Sequence, residues 1–259
     1  MPDTISLKIK RQDSPDKPAY WETFEIPYQP NLNVISALME IRVNPVTRDG
    51  KKTTAPVWDA ACLEEVCGSC SMLINGRPRQ ACTALIDSLE QPIVIEPFSK
   101  FPVIRDLMVD RSRMFEALRR VKAWNPLDGT YALGPGALVH ADKQQEMYTY
   151  SRCMTCGCCL EACPQINEHS PFMGAAVLGQ AYLFNLQPAG SSLAGERLDE
   201  LMGPGGHGDC GNAQNCVRVC PKEIPLTDAI AAIGRQLTWH SIKRFFTDPP
   251  KKHKEVQPQ

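Results

Sequence analysis

Twelve cysteines in 259 residues, most of them in short runs, constrain this chain more than any other feature. The opening Met1-Pro2-Asp3-Thr4 has no basic stretch leading into an apolar one, so no signal peptide is expected and the chain is expected to be soluble and cytoplasmic. Structural disulfides are rare in that reducing compartment, and a dozen thiols there are more often metal ligands than bridges. Their spacing decides between the two.

The first run is Cys62-x4-Cys67-x2-Cys70, with Cys82 following after eleven intervening residues. This is the plant-type [2Fe-2S] spacing. Two irons bridged by two sulfides need four thiolates from different sides; one loop supplies three, and a strand expected over 78–85 supplies the fourth. Gly68 allows the backbone to wrap closely and present N–H groups to sulfur. Cys67-x2-Cys70 alone would also suit a structural zinc, but the x4 spacing inside an α+β pattern favours iron and sulfide.

The second run, Cys153-x2-Cys156-x2-Cys159-x3-Cys163-Pro164, is the gapless bacterial ferredoxin ladder. In two-cluster ferredoxins the fourth cysteine of each run ligates the other cluster, so a partner run is required. It is Cys210-x5-Cys216-x3-Cys220-Pro221, in which Ala213 occupies the second rung. Crossing over gives Cys153, Cys156, Cys159 and Cys220 as four ligands for [4Fe-4S]. Cys163, Cys210 and Cys216 remain as three, suiting [3Fe-4S], although an outside ligand such as water could hold a fourth iron. Cys158 falls out of register and reads as a small buried thiol beside a cluster rather than an alternative ligand.

The surrounding pattern divides the chain near residue 106. Alternation at Ile5, Leu7, Ile9 and at Phe24, Ile26, Tyr28 predicts two half-buried strands. Asn31 or Asn33 would cap a helix bearing Val34, Ile35, Leu38, Met39 and Ile41. Met72 and Ile74 lead into the hairpin signal Asn75-Gly76, and Ile93 and Ile95 make another strand. Helical spacing then appears over 111–124, 173–184, 196–202 and 227–246, with a Gly/Pro-rich loop over 125–136 and the diproline Pro249-Pro250 as a stop. The expected fold class is α+β, a [2Fe-2S] domain over 1–106 and a helical domain over 107–259.

Several functions are excluded or disfavoured. Lys plus Arg (28) balances Asp plus Glu (29), so the surface lacks the basic excess a nucleic-acid binder needs. No uncharged apolar run approaches the roughly 20 residues that span a bilayer. No histidine pairs with cysteine as a Rieske centre requires, and no Cys-x-x-Cys-His haem attachment is present. No Walker or Rossmann glycine pattern offers a nucleotide or flavin site. His207 reads as an ordinary loop histidine. Trp239, Lys243, Arg244, Phe245 and Phe246, followed by Lys251, Lys252 and Lys254, read as an amphipathic helix packed on its own domain with a solvated basic end, rather than a lipid-binding segment. Three clusters of different kinds with no substrate site make an electron wire that needs a partner at each end.

The cysteine pattern resembles that of the iron–sulfur subunits of succinate dehydrogenase and fumarate reductase. So does the intervening text: Pro102-Val103-Ile104-Arg105-Asp106-Leu107, Arg152-Cys153-Met154-Thr155-Cys156-Gly157 and Asn215-Cys216-Val217. The resemblance covers almost the whole chain. It implies a β-grasp plant-type ferredoxin domain followed by an all-α bacterial-ferredoxin-like domain, at the cytoplasmic face of the cell membrane as a peripheral subunit. It further implies electron passage between a flavoprotein subunit and quinone at a membrane anchor, with FAD, haem and quinone held by partners. Cys163-Pro164 is followed by Gln165-Ile166-Asn167-Glu168, and Cys210 by Gly211, where ubiquinone-using relatives carry tryptophan and histidine. Leu63 and Glu65 replace a common Arg and Gly. These departures resemble the menaquinone-linked branch, whose anchor is a haem-containing cytochrome b, and no quinone contact is assigned to this chain. The same wire could serve another flavoprotein dehydrogenase, such as one for hydroxyacids or glycerol phosphate; a zinc-stapled scaffold is the non-redox alternative.

Overall fold

A computed structural model describes residues 4–126 and 137–247. Most of the expected Gly/Pro-rich loop, the diproline and the lysine-rich tail lie outside these residues.

Strand β1 (Thr4–Arg11) buries Ile5, Leu7, Ile9 and Arg11 on one face, as period-two alternation requires. It pairs antiparallel with β2 (Tyr20–Pro27), Ile5 opposite Ile26 and Leu7 opposite Phe24. Asn33 Oδ1 accepts the Ser36 amide at 2.8 Å and starts α1 (Val34–Val43), satisfying one of the open donors of the first turn. Val34, Ile35, Ala37, Leu38 and Ile41 enter the core, whereas Met39 is exposed. Asn75 and Gly76, both at positive φ (49° and 73°), close the hairpin between β3 (Ser71–Ile74) and β4 (Arg77–Gln80), the backbone that a tight two-residue hairpin turn demands. Strand β5 (Ile93–Glu96) then runs parallel to β1, completing a mixed sheet in the order β2-β1-β5-β3-β4.

The strand expected over 78–85 ends at Gln80. Ala81 N still reaches the Cys70 carbonyl at 3.1 Å, just before β3, but the following backbone bonds go to the segment that introduces α1: Val34 N to Ala84 O at 3.0 Å and Ile86 N to Leu32 O at 2.8 Å. Cys82 therefore sits in a turn rather than on a strand.

A short hairpin, β6 (Val103–Arg105) and β7 (Met108–Val109), turns at Asp106, and β7 lies past the expected division. Asp106 and Arg11 are both buried and doubly bonded, Arg11 Nε to Oδ1 at 2.9 Å and Nη2 to Oδ2 at 3.2 Å. Arg11 also donates to Glu22 and to the Thr54 carbonyl, and Asp106 accepts the amides of Gln12 and Val57. Both members of this charge pair are thereby multiply hydrogen-bonded, the condition for burying it. The cluster ties the sheet to the segment leading into Cys62.

The remainder of the described chain is helical. Helix α2 (Ser112–Arg120) buries Met114 and Ala117. Helix α3 (Ala141–Ser151), absent from the periodicity reading, buries only Met147 and Tyr150, so its sequence carries almost no apolar stripe. Helices α4 (Cys158–Glu161), α5 (Ala175–Leu186), α6 (Ala194–Met202), α7 (Asn215–Arg218) and α8 (Leu226–Thr247) follow. Helix α5 packs against α2, α3, α4, α6 and α8, which explains why it is apolar nearly all round.

Two hydrophobic cores result, one under the sheet and one around α5, and the chain between them interleaves. Phe98 and Phe101 belong to the helical core, while Leu107, further along, returns to the core of the sheet. Among the described residues no helix is long and apolar enough to cross a membrane.

Candidate functional site

The loop from Cys62 to Cys70 is bent by Leu63, Glu65 and Gly68 at φ of 62°, 55° and 72°. Left-handed backbone at two non-glycine positions is costly, and here it turns amides inward. Cys62 Sγ accepts from the amides of Glu64, Val66 and Cys67 at 3.3–3.4 Å. Cys67 Sγ accepts from those of Cys62 and Ser69, each at 3.5 Å. Hydrogen bonding from Ser69 brings the Cys67 thiol down to about 6, favouring the thiolate that binds metal. Cys82, buried next to Cys70, is pushed up to about 11 by that burial. Thr83 donates to Glu65 at 2.8 Å and ties the Cys82 turn back to the loop.

Of the eight cysteines of the helical part, seven divide between two cavities and Cys158 stands apart. Cys153, Cys156, Cys159 and Cys220 line the first. Cys163, Cys210 and Cys216 line the second, together with Ala213. Each cavity thus draws on both the 153–163 and the 210–220 segments, which Asn215 links by donating to the Ala162 carbonyl at 2.9 Å. Burial pushes the thiols of Cys153 (to about 11), Cys159 and Cys216 upward. Cys156 moves the other way, to about 7, chiefly through a hydrogen bond from Cys158. The Ile224 amide donates to Cys220 Sγ at 3.4 Å.

Cysteine is the only one of the His, Cys, Asp and Glu ligand types that lines either cavity. Among the described residues no three His, Cys, Asp or Glu side chains converge on one ion-sized point; the cysteines stand around cavities instead. Sulfurs ringed by backbone amides suit a multi-atom iron–sulfur core, whose potential such hydrogen bonds help to set.

Cys158, read from sequence as a small buried thiol, is fully buried beside these cavities. His207 lies in a 3₁₀ turn, with Nε2 3.2 Å from the Ile230 carbonyl. At the end of α8, His240 and Arg244 hold Asp199 of α6, but Trp239, Phe245 and Phe246 are largely exposed. That end is therefore only partly packed on its own domain.

Spacing could not reveal the polar groups between the cysteine regions. Arg111 donates through both terminal nitrogens to the Gly68 and Ser69 carbonyls, each at 2.7 Å. Glu161, buried on α4, accepts the amides of Ser99 and Lys100 at 3.0 and 3.1 Å. Lys100 in turn donates to the Cys163 carbonyl. Gln80 reaches Cys158 from the end of β4; the only sequence hint is a polar residue at an inward strand position.

Residues 6–116 match the family model for a 2Fe-2S iron-sulfur cluster binding domain, and residues 149–224 that for a 4Fe-4S dicluster domain. The chain is 60% identical over 243 residues to the succinate dehydrogenase iron-sulfur subunit of Bacillus subtilis, covering 94% of this chain and 96% of that one. The chain belongs to the succinate dehydrogenase and fumarate reductase iron–sulfur subunit family. It is 32% identical to the fumarate reductase iron-sulfur subunit of Mycobacterium tuberculosis, over 95% of this chain and 97% of that one. A chain of the Mycobacterium smegmatis Sdh1 complex in the apo form shares the fold, with a TM-score of 0.73 at 22% identity over 92% of this chain and 97% of that one. As a member of this family the subunit transfers electrons through iron–sulfur clusters, [2Fe-2S] and [4Fe-4S] among them, and carries no substrate-converting site.

Proposed function

We propose that Cys62, Cys67, Cys70 and Cys82 hold the [2Fe-2S] cluster, that Cys153, Cys156, Cys159 and Cys220 hold [4Fe-4S], and that Cys163, Cys210 and Cys216 hold [3Fe-4S]. The observation that carries this reading is the crossed lining of the two cavities: Cys220 joins the 153–159 cysteines, and Cys163 joins those of 210–216. Ala213 in the second cavity supports three ligands there rather than four. Once bound, the clusters supply one-electron carriers; the protein contributes sulfur ligands, amide donors and exclusion of water.

The division near residue 106 is part of the same proposal, with a β-grasp domain before it and an all-α domain after it. The parallel β1–β5 pair inside an otherwise antiparallel sheet supports the first description, and helices α2–α8 support the second. The interleaving of Phe98, Phe101 and Leu107 makes the division a shared seam rather than a linker.

The subunit would work between a flavoprotein acting on the succinate/fumarate couple and a membrane anchor, at the cytoplasmic face of the cell membrane. We further propose menaquinone as the quinone and a haem-containing cytochrome b as the anchor. Support comes from Gln165, Gly211, Leu63 and Glu65 standing where ubiquinone-using relatives differ.

Anaerobically purified complex tests the central assignment. It should contain about nine irons per copy of this chain, with acid-labile sulfide and separable two-, three- and four-iron EPR signals. Zinc without sulfide would overturn it. Extraction of the complex should release menaquinone, and its reduced spectrum should carry haem b bands.

A further inference from the structure

The peptide group between Gly68 and Ser69 is hydrogen-bonded at both ends. Its N–H, on Ser69, donates to Cys67 Sγ at 3.5 Å. Its oxygen, on Gly68, accepts from Arg111 Nη1 at 2.7 Å and from Ser71 Oγ at 2.8 Å. Arg111 Nη2 takes the next carbonyl, that of Ser69, also at 2.7 Å. The planar fork of the guanidinium thus spans two successive carbonyls, a grip that a lysine ammonium cannot copy.

Arg111 stands at the start of α2, 43 residues along the chain from Gly68. Among the described residues it enters no ion pair. Its neighbour Asp110 instead accepts the Ser112 amide at 2.8 Å. The cation is therefore directed at peptide oxygens rather than at a carboxylate. A positive donor on a carbonyl oxygen polarises the whole amide and makes its N–H a stronger donor, as happens along any chain of hydrogen bonds. Charged donors are roughly twice as effective as neutral ones. Ser71, 3% exposed, places a neutral donor on the same oxygen.

We infer that Arg111 tunes the two-iron site through this peptide, strengthening the hydrogen bond from the Ser69 amide to the Cys67 sulfur, and that Ser71 acts on the same oxygen in the same sense. Reduction adds negative charge that the ligand sulfurs share, so a stronger donor stabilises the reduced form and raises the midpoint potential. Arg111 is thus a positioning residue, and the helical part of the chain sets a property of the sheet-bound site. This inference rests on the proposal that Cys67 is a [2Fe-2S] ligand.

The test is redox titration, followed by EPR, of the intact membrane complex carrying Arg111→Met, Arg111→Lys or Ser71→Ala. The two-iron potential should fall in Arg111→Met and fall less in Arg111→Lys, which keeps the charge but not the fork. It should also fall in Ser71→Ala, where no charge changes. The four-iron potential should move less than the two-iron one in Arg111→Met and stay in place in Ser71→Ala. Mere loosening of the loop would admit water, which favours the more charged reduced form and raises the potential, so a rise would overturn the inference. Equal movement of both sites in Arg111→Met, the mark of a bare charge, would overturn it too. If Arg111→Met fails to assemble, Ser71→Ala still decides, because an unchanged two-iron potential there refutes action through the Gly68 oxygen. These outcomes leave the ligand assignment standing; only a reduced, unsubstituted complex without a two-iron signal would overturn both.

Discussion

A Cβ on Gly68 would stand 2.9 Å from both Cα and Cβ of Cys156 and 2.8 Å from the Met154 carbonyl. The two cysteine-bearing loops therefore touch backbone to backbone, at a point where any side chain would separate them. Close approach matters for a wire, because electron transfer falls steeply with distance.

Gly68→Ala should lower thermal stability by more than the about 1–2 kcal/mol that left-handed backbone costs a non-glycine residue. It should also weaken the magnetic interaction between the two- and four-iron sites. Gly76→Ala is the matched control, at φ +73° with nothing within 4 Å of the new Cβ. It should carry the backbone cost alone. Thermal melting and EPR relaxation measurements on the two variants read both effects.

Arg11→Met leaves the buried Asp106 and the half-buried Glu22 without their cation. Removing one partner of a buried ion pair costs about 3–5 kcal/mol, and denaturant titration should register a loss of that size. Asp106→Asn should be at least as damaging, since the new NH2 would face the donors of Arg11, Gln12 or Val57.

Ala213 lines the cavity of Cys163, Cys210 and Cys216. Ala213→Cys adds the missing thiolate, so the three-iron EPR signal of the oxidised protein should diminish as a four-iron signal appears on reduction. Iron per chain should rise by about one.

Cluster insertion should release protons. Burial holds the thiols of Cys153 and Cys159 above their ordinary range, so they are neutral before loading, and iron binds only the thiolate. The free chain then carries more protons than the loaded one, and higher pH favours loading. Anaerobic reconstitution of cluster-depleted complex should therefore recover more four-iron signal at about pH 9 than at about pH 7.

Periodicity made β1, β2, α1, β5, α2 and α8 legible because each has one wet face and one dry face. It failed at α3, where Met147 and Tyr150 are the only buried residues, and at β6 and β7, which are too short to alternate. The strand expected through Cys82 stopped early because backbone pairing with Leu32 and Val34, distant in sequence, claimed the following residues. Cysteine spacing was informative because one loop must deliver its thiolates within a few residues of one another. Arg111, Glu161 and Gln80 obey no such local rule. They meet their partners only after the two cores close, across separations of 43, 62 and 78 residues.

Each helical-domain cavity borrows a cysteine from the other's segment, so the second lacks cysteines until Cys216 and the first until Cys220 has emerged from the ribosome. Maturation of these two sites is consequently a late event that follows synthesis of nearly the whole subunit. The sheet-bound site, complete by Cys82, is free of that delay.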